Sequence, residues 1–312
     1  MPAAAEAPGQ MTEPNKPAKR PTAWYWRVLR VFGLAYVCAL IFLYFAQGFL
    51  IFPGAGSQGH AKITAWDGTE LLELKTASGE KIAALFAGAL TPDGKRHPEA
   101  AKRPTMLYFY GNGMCLRDAR QQISQFQRLG ANVLVPEYVG YGMSTGAPNE
   151  RGCYETADAA YAHLQTRTDI DLKKIFFSGW SLGGAVAIDL ASRNKPAGLA
   201  VFSTFTSMAN EGNATYPFLP SFLISLILKN RFESESKIGG VQCPVLLGHS
   251  HGDRVIPFWM SDRLAAAVGP KATRLIIDKP DHGDFFSEGG DEVWKAMEDF
   301  IERVNAGDKL EK

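Results

Sequence analysis

The stretch FFSGWSLGG, Phe176–Gly184, sets a serine between two glycines where an apolar run ends and a helical pattern begins. G-x-S-x-G by itself is a short pattern, expected by chance in roughly one chain in ten of this length. Whether Ser181 is a nucleophile or a turn serine therefore depends on what surrounds it.

Working outward, short β-rich runs alternate with longer amphipathic ones. The expected strands are Leu71–Thr76, Lys81–Ala87, Thr105–Tyr110, Asn132–Tyr138, Lys174–Ser178, Leu199–Ser203, Val245–His249 and Arg274–Asp278. Several are continuous apolar runs, the signature of strands covered on both faces. Helical patterns fall at Leu116–Leu129, Tyr154–Gln165, Gly183–Ser192, Asp262–Ala267 and Asp291–Val304. The alternation predicts an α/β domain with a mostly parallel eight-stranded sheet flanked by helices, opening on an antiparallel pair.

Ligands of such sheets bind beyond the carboxyl ends of the strands. Three reactive residues fall there, each in the loop after a strand: Ser181, Asp253 in GHSHGDRVIP, and His282 in KPDHGDF. Their order, Ser then Asp then His, suits a nucleophile, an acid that orients, and a base. A serine hydroxyl attacks well only when a neutral imidazole takes its proton, and a carboxylate must hold that imidazole in the right tautomer. Gly179 and Gly183 suit the sharp strand-to-helix turn that exposes such a serine. The oxyanion formed on attack needs backbone donors. One is expected from the N–H of Leu182, the other from Asn112 or Gly113 in the glycine-rich loop after the third strand.

The amino-terminal part differs in kind. Residues 1–23 are rich in Pro, Ala and Lys and read as a disordered tail. From Val31 to Phe52 there is no charge, and at 1.5 Å per residue the run would be about 33 Å long, enough to cross a bilayer core. Residues 24–52 are thus expected to be a transmembrane signal anchor; the alternative, a cleaved signal, usually has a shorter apolar region. Lys16, Lys19, Arg20, Arg27 and Arg30 precede the span while Lys62 is the comparable basic residue after it. That asymmetry places the amino terminus in the cytoplasm and the rest in the periplasm, exterior or lumen. Residues 53–62 read as a linker, 63–306 as the α/β domain and 307–312 as a short tail.

Other features are weaker signals. The net charge of +1, with both signs dispersed, gives no general attraction to nucleic acid. Cys38, Cys115, Cys153 and Cys243 show neither metal-ligand spacing nor disulfide density. HSHGD, His249–Asp253, shares H-x-H-x-D with zinc hydrolases, but Arg254 follows where those have histidine, so no metal is expected. The apolar segment Phe218–Leu228 reads either as a helix packed on the core or as a lid or pocket wall for an acyl chain, resting on the membrane surface.

The phrases AQGFLIFPG, YFYGNG, EYVGYGMSTGAPNERGCYETADAA, GWSLGGAVAIDLA, FSTFTSM and CPVLLGHSHGDRVIP together resemble the α/β-hydrolase superfamily, in particular its membrane-anchored, serine aminopeptidase-like branch, over about residues 45–304. The resemblance implies an α/β-hydrolase fold with a short lid insertion, and a nucleophile, acid and base at Ser181, Asp253 and His282. Tyr110, Glu137 and Val139 stand where the branch usually has His, Asp and Arg, and Ser250 replaces a glycine. The expected activity is that of a serine hydrolase, cleaving ester or thioester bonds of small or lipid-like acyl substrates without a cofactor. A serine peptidase or amidase of the same fold, and a non-catalytic membrane-tethered binding domain, remain alternatives. The oligomeric state is left open.

Overall fold

The computed structural model describes residues 23–307. Apart from Ala23 and Gly307, the tails read at both ends lie outside the described residues. The chain divides into two compact units, one reaching to Leu43 and one from Tyr44 onward. Helix α1 (Ala23–Ile51) is long and apolar enough to cross a membrane, and none of its most apolar stretch is buried.

The second unit carries one eight-stranded sheet built from β1 (Thr69–Lys75), β2 (Lys81–Ala87), β3 (Thr105–Phe109), β4 (Asn132–Pro136), β5 (Ile175–Trp180), β6 (Gly198–Phe202), β7 (Val245–Ser250) and β8 (Ala272–Ile277). Their order in space is β1-β2-β4-β3-β5-β6-β7-β8. The pairs β1/β2 and β2/β4 are antiparallel and the rest parallel. The helices that follow α1 are α2 (Arg120–Arg128), α3 (Glu150–Thr166), α4 (Leu182–Arg193), α5 (Met208–Thr215), α6 (Ser221–Ile227), α7 (Ser234–Ile238), α8 (Trp259–Val268), α9 (Phe285–Glu288) and α10 (Gly290–Ala306).

Burial follows the residue types. Strands β3, β4 and β6 are buried at every position, so their runs of Leu, Val, Phe and Met carry no polar alternation. Edge strand β1 leaves Glu70, Glu73 and Lys75 exposed, and such charges discourage pairing with another sheet. Each Phe or Leu taken from water contributes about 1.5–3 kcal/mol, so Phe109, Phe126, Phe176, Phe177 and Phe202, all below 2% exposed, dominate the core. The chain leaves β3 toward β4 on one side and β5 toward β6 on the other. The crevice between β3 and β5 is therefore the topological switch point, where this class of sheet opens a site.

Two segments behave differently from their sequence reading. Residues 53–62, read as a linker, begin with a 3-10 turn at Pro53–Ser57 that packs into the domain. Gly54 donates its N–H to the Asn112 carbonyl at 2.9 Å, and a Cβ at Gly54 would lie 2.2 Å from the Tyr141 ring. The apolar segment 218–228 packs on the domain along one side only. Leu219 and Ile224 are buried, but Phe218, Phe222 and Leu226 are 73%, 70% and 75% exposed.

Candidate active site

Ser181 occupies the turn between β5 and α4 with φ 55° and ψ −121°, a conformation that L-residues adopt only when their surroundings impose it. Its N–H donates to the Phe202 carbonyl at 2.9 Å, while its own carbonyl accepts from Thr204 Oγ1 at 2.8 Å and Gly184 N at 3.0 Å. The glycines around it leave no choice of residue. A Cβ on Gly179 would sit 2.1 Å from the Gly183 carbonyl oxygen, and one on Gly183 2.0 Å from the Phe109 carbonyl oxygen. These contacts press the elbow against the end of β3, at the switch point.

The three loops meet there. His282 Nε2 lies 2.9 Å from Ser181 Oγ, and His282 Nδ1 lies 2.8 Å from Asp253 Oδ2. The other carboxylate oxygen, Oδ1, accepts from Val255 N at 2.9 Å and Ile256 N at 2.8 Å, so Asp253 is oriented before His282 reaches it. Burial on its own would push this carboxyl up; hydrogen bonds from His249, His282 and Ile256 outweigh it and hold Asp253 well below the usual carboxylate range. The loop of His282 is tied to the loop of Asp253 at two points. Asp281 accepts from His282 N and Arg254 N, and its carboxylate pairs with the Arg254 guanidinium. Ser250, which stands where a glycine is usual, donates to the Pro280 carbonyl at 2.5 Å and accepts from Gly252 N at 3.0 Å.

His249 contributes what the sequence reading missed. It is 1% exposed, with Nε2 3.0 Å from the Ile256 carbonyl and 3.4 Å from Asp253 Oδ2, so Asp253 faces two imidazoles. His251 turns elsewhere, its Nδ1 2.9 Å from Asp278 Oδ1. The H-x-H-x-D spacing thus sends its two histidines to different partners. Trp180 is a second addition. Its indole stacks on the His282 ring at 5.0 Å and 28°, and it also explains Gly111, where a Cβ would meet that indole at 2.6 Å.

Leu182 is the first residue of α4, a position whose N–H has no intrahelical acceptor. Across the crevice, Asn112 is held by three hydrogen bonds: its side chain donates to the Ile51 carbonyl at 3.0 Å, and its carbonyl accepts from Gly54 N and from Tyr141 Oη at 3.0 Å. Gly113 is exposed and has open space where a Cβ would be. Beneath this loop, the departures at Tyr110 and Glu137 are one feature. The Tyr110 hydroxyl donates to Glu137 Oε1 at 2.6 Å, Leu116 N donates to the same oxygen at 2.7 Å, and the longer phenol and longer carboxyl span the gap together. Burial pushes the Glu137 carboxyl up, with these donors pulling the other way. Val139, in place of arginine, is buried against Gly146 and Gly152.

Glu211 on α5 carries a carboxylate whose Oε1 accepts from Thr215 Oγ1 at 3.1 Å. Its Oε2 is buried without a partner among the described residues, and burial, reinforced by the Asp253 charge, pushes its carboxyl up to about 7 against an ordinary value of 4.5, with the Thr215 hydrogen bond opposing. A folded-state value above the unfolded one means that stability falls as pH rises from about 4.5 through 7 and levels off above. Glu211→Gln is expected to remove that fall, on the order of 2 kcal/mol or a few degrees in Tm. Thermal melts of both proteins at pH 5 and pH 8 check this, with a gain confined to pH 8.

A family model described as the alpha/beta hydrolase fold matches residues 104–221. The chain is 30% identical over 246 residues to the alpha/beta hydrolase domain-containing protein WAV2 of Arabidopsis thaliana, covering 74% of this chain and 77% of that one. It therefore belongs to the α/β-hydrolase family. It is also 33% identical over 181 residues to the lysophosphatidylserine lipase ABHD12 of Danio rerio, covering 53% of this chain and 47% of that one. Among solved structures, an esterase of Pyrococcus furiosus superposes with a TM-score of 0.62 at 15% identity, over 78% of this chain and 96% of that one. Fold, family and sheet are as the sequence reading expects.

Proposed function

We propose that the protein is a membrane-anchored serine hydrolase that cleaves ester or thioester bonds of small or lipid-like acyl substrates. The single observation that carries this is the unbroken chain of contacts from Ser181 Oγ through His282 to Asp253, set on a strained elbow at the switch point. Ser181 attacks the acyl carbon while His282 Nε2 takes its proton. Asp253 keeps the remaining imidazole proton on Nδ1 and balances the imidazolium charge. The tetrahedral oxyanion is received by the Leu182 N–H and by Asn112 or Gly113. His282 then returns the proton to the leaving group, and water repeats the sequence on the acyl-enzyme. No step calls for a cofactor or metal.

Substrate class is supported by the lipase among its relatives and by the esterase that shares its fold. Residues 24–52 serve as the anchor and 63–306 as the catalytic domain. The five basic residues before the span set the amino terminus in the cytoplasm and the catalytic domain on the far side. The test is full-length protein in detergent against p-nitrophenyl esters of increasing chain length and against peptide amides. Medium chains should exceed acetyl by up to about fourfold per added methylene until the acyl site is full. A flat profile, or amide cleavage with little ester cleavage, would replace this reading with the peptidase one. No turnover of either class, with Ser181 unreactive to a fluorophosphonate, would leave a binding domain.

A further inference from the structure

Helix α6 has two unlike sides. Ile224 on its inner side packs toward α5, its Cγ2 3.2 Å from where a Cβ at Gly212 would lie. On the outer side Phe222 and Leu226, one helical turn apart, stand in the open, and Phe218 in the turn just before the helix is equally exposed. A soluble domain rarely exposes such a row without using it.

What covers the row follows from what α6 is bolted to. Gln47, buried in the last turns of α1, donates Nε2 to the Ile227 carbonyl at 3.0 Å and accepts through Oε1 from Lys229 N at 2.7 Å. The end of α6 and the end of α1 therefore hold a fixed relation within the second unit. On those same turns of α1, Phe45 and Phe49 are 74% and 82% exposed. At the junction, the Lys229 ammonium sits over the Tyr44 ring, 3.8 Å from its centroid. An aromatic ring and a long cation bordering apolar side chains is the composition found where hydrocarbon meets headgroups. The chain also has no slack here: Ile51 and Phe52 are already buried in the domain, and the Ile51 carbonyl is taken by Asn112.

We propose that the outer face of α6 docks on the bilayer, lying in the plane of the interface beside the point where α1 emerges. Seven residues span about 10 Å, too short to cross and the right scale to rest in the headgroup boundary. This rests on the anchor reading and not on the reaction. The domain is thereby held against the membrane at two places, and its attitude to the lipid surface is set.

The test uses full-length protein with Cys38→Ser, reconstituted into phosphatidylcholine–phosphatidylglycerol vesicles. An environment-sensitive dye is placed in turn at Phe222→Cys, at Phe49→Cys and, as an exposed site at the end of α4, at Lys195→Cys. Lipids carrying a shallow spin label should quench the dye at position 222 to at least about half the extent seen at 49, and leave that at 195 unaffected. Leu226→Glu in the 222-labelled protein should abolish most of that quenching while its Tm stays within about a degree, since the side chain is exposed. Quenching at 49 with none at 222 would overturn the docking and leave the anchor standing. No quenching at either position would overturn both. Shielding at 222 that grows with protein density and ignores the lipid label would give the face to a second copy instead, and overturn the proposal.

Discussion

Ser181→Ala is expected to lower kcat/KM on esters by about 10⁵–10⁶, the scale seen when the nucleophile of a serine-hydrolase triad is removed, leaving roughly 10³–10⁴ over the water reaction from binding and the oxyanion donors. The fold should be untouched. Among the described residues, the hydroxyl's single polar contact is the one to His282. The strained backbone, by contrast, is held by Phe202, Thr204 and Gly184, none of which touches the hydroxyl. Alanine carries the same Cβ as serine, so the φ of 55° is as accessible to the variant as to the native residue. Ester turnover, fluorophosphonate labelling and thermal melting check the three parts of this expectation. Turnover within tenfold of wild type would remove Ser181 from the chemistry.

The body of this fold was legible because its signals are local. β3, β4 and β6 are continuous apolar runs, and Gly179 and Gly183 flank Ser181 at the end of one such run, where a sharp turn fits them. Chain order then put Asp253 and His282 at the same sheet edge. What stayed hidden depends on contacts that residue type does not encode. Tyr110 and Glu137 are 27 positions apart and looked like separate departures, although one hydroxyl bonds the other's carboxylate. His249 sits four residues before Asp253, and its spacing to His251 suggested a metal motif until the rings were seen to diverge. Apolarity in 218–228 said that these side chains avoid water. It did not say whether protein or lipid replaces that water, and three of them face outward. The boundary between anchor and domain was blurred for a similar reason. Pro, Gly and Ser at 53–57 suit a flexible linker, yet Gly54 is there because Tyr141 and Asn112 leave no room for a side chain.

Asp253→Asn is expected to cost roughly 10⁴ in kcat with little change in fold, through the tautomer of His282 rather than through loss of a contact. Asp253 is an acceptor at both oxygens: Oδ1 takes two backbone N–H groups, from Val255 and Ile256, and Oδ2 takes the Nδ1 proton of His282. Asparagine has one acceptor and one donor end. The two backbone donors compete for its oxygen, which turns the NH₂ toward His282 Nδ1. That ring nitrogen must then accept, the proton moves to Nε2, and Nε2 can no longer take the proton of Ser181. His249 sharpens the conflict, because its Nε2, 3.4 Å from Oδ2, would meet a donor where it now meets an acceptor. The companion variant is Asp281→Asn. Asp281 directly precedes His282 in sequence, but it binds Arg254 and the His282 backbone N–H, not the imidazole. Its loss should loosen the loop and cost far less, on the order of tenfold. Measured side by side at pH 8, a crippled Asp253→Asn and an active Asp281→Asn assign the acid. The reverse ranking would move it to the loop of the base itself, and the sheet-edge argument that selected Asp253 would fail with it.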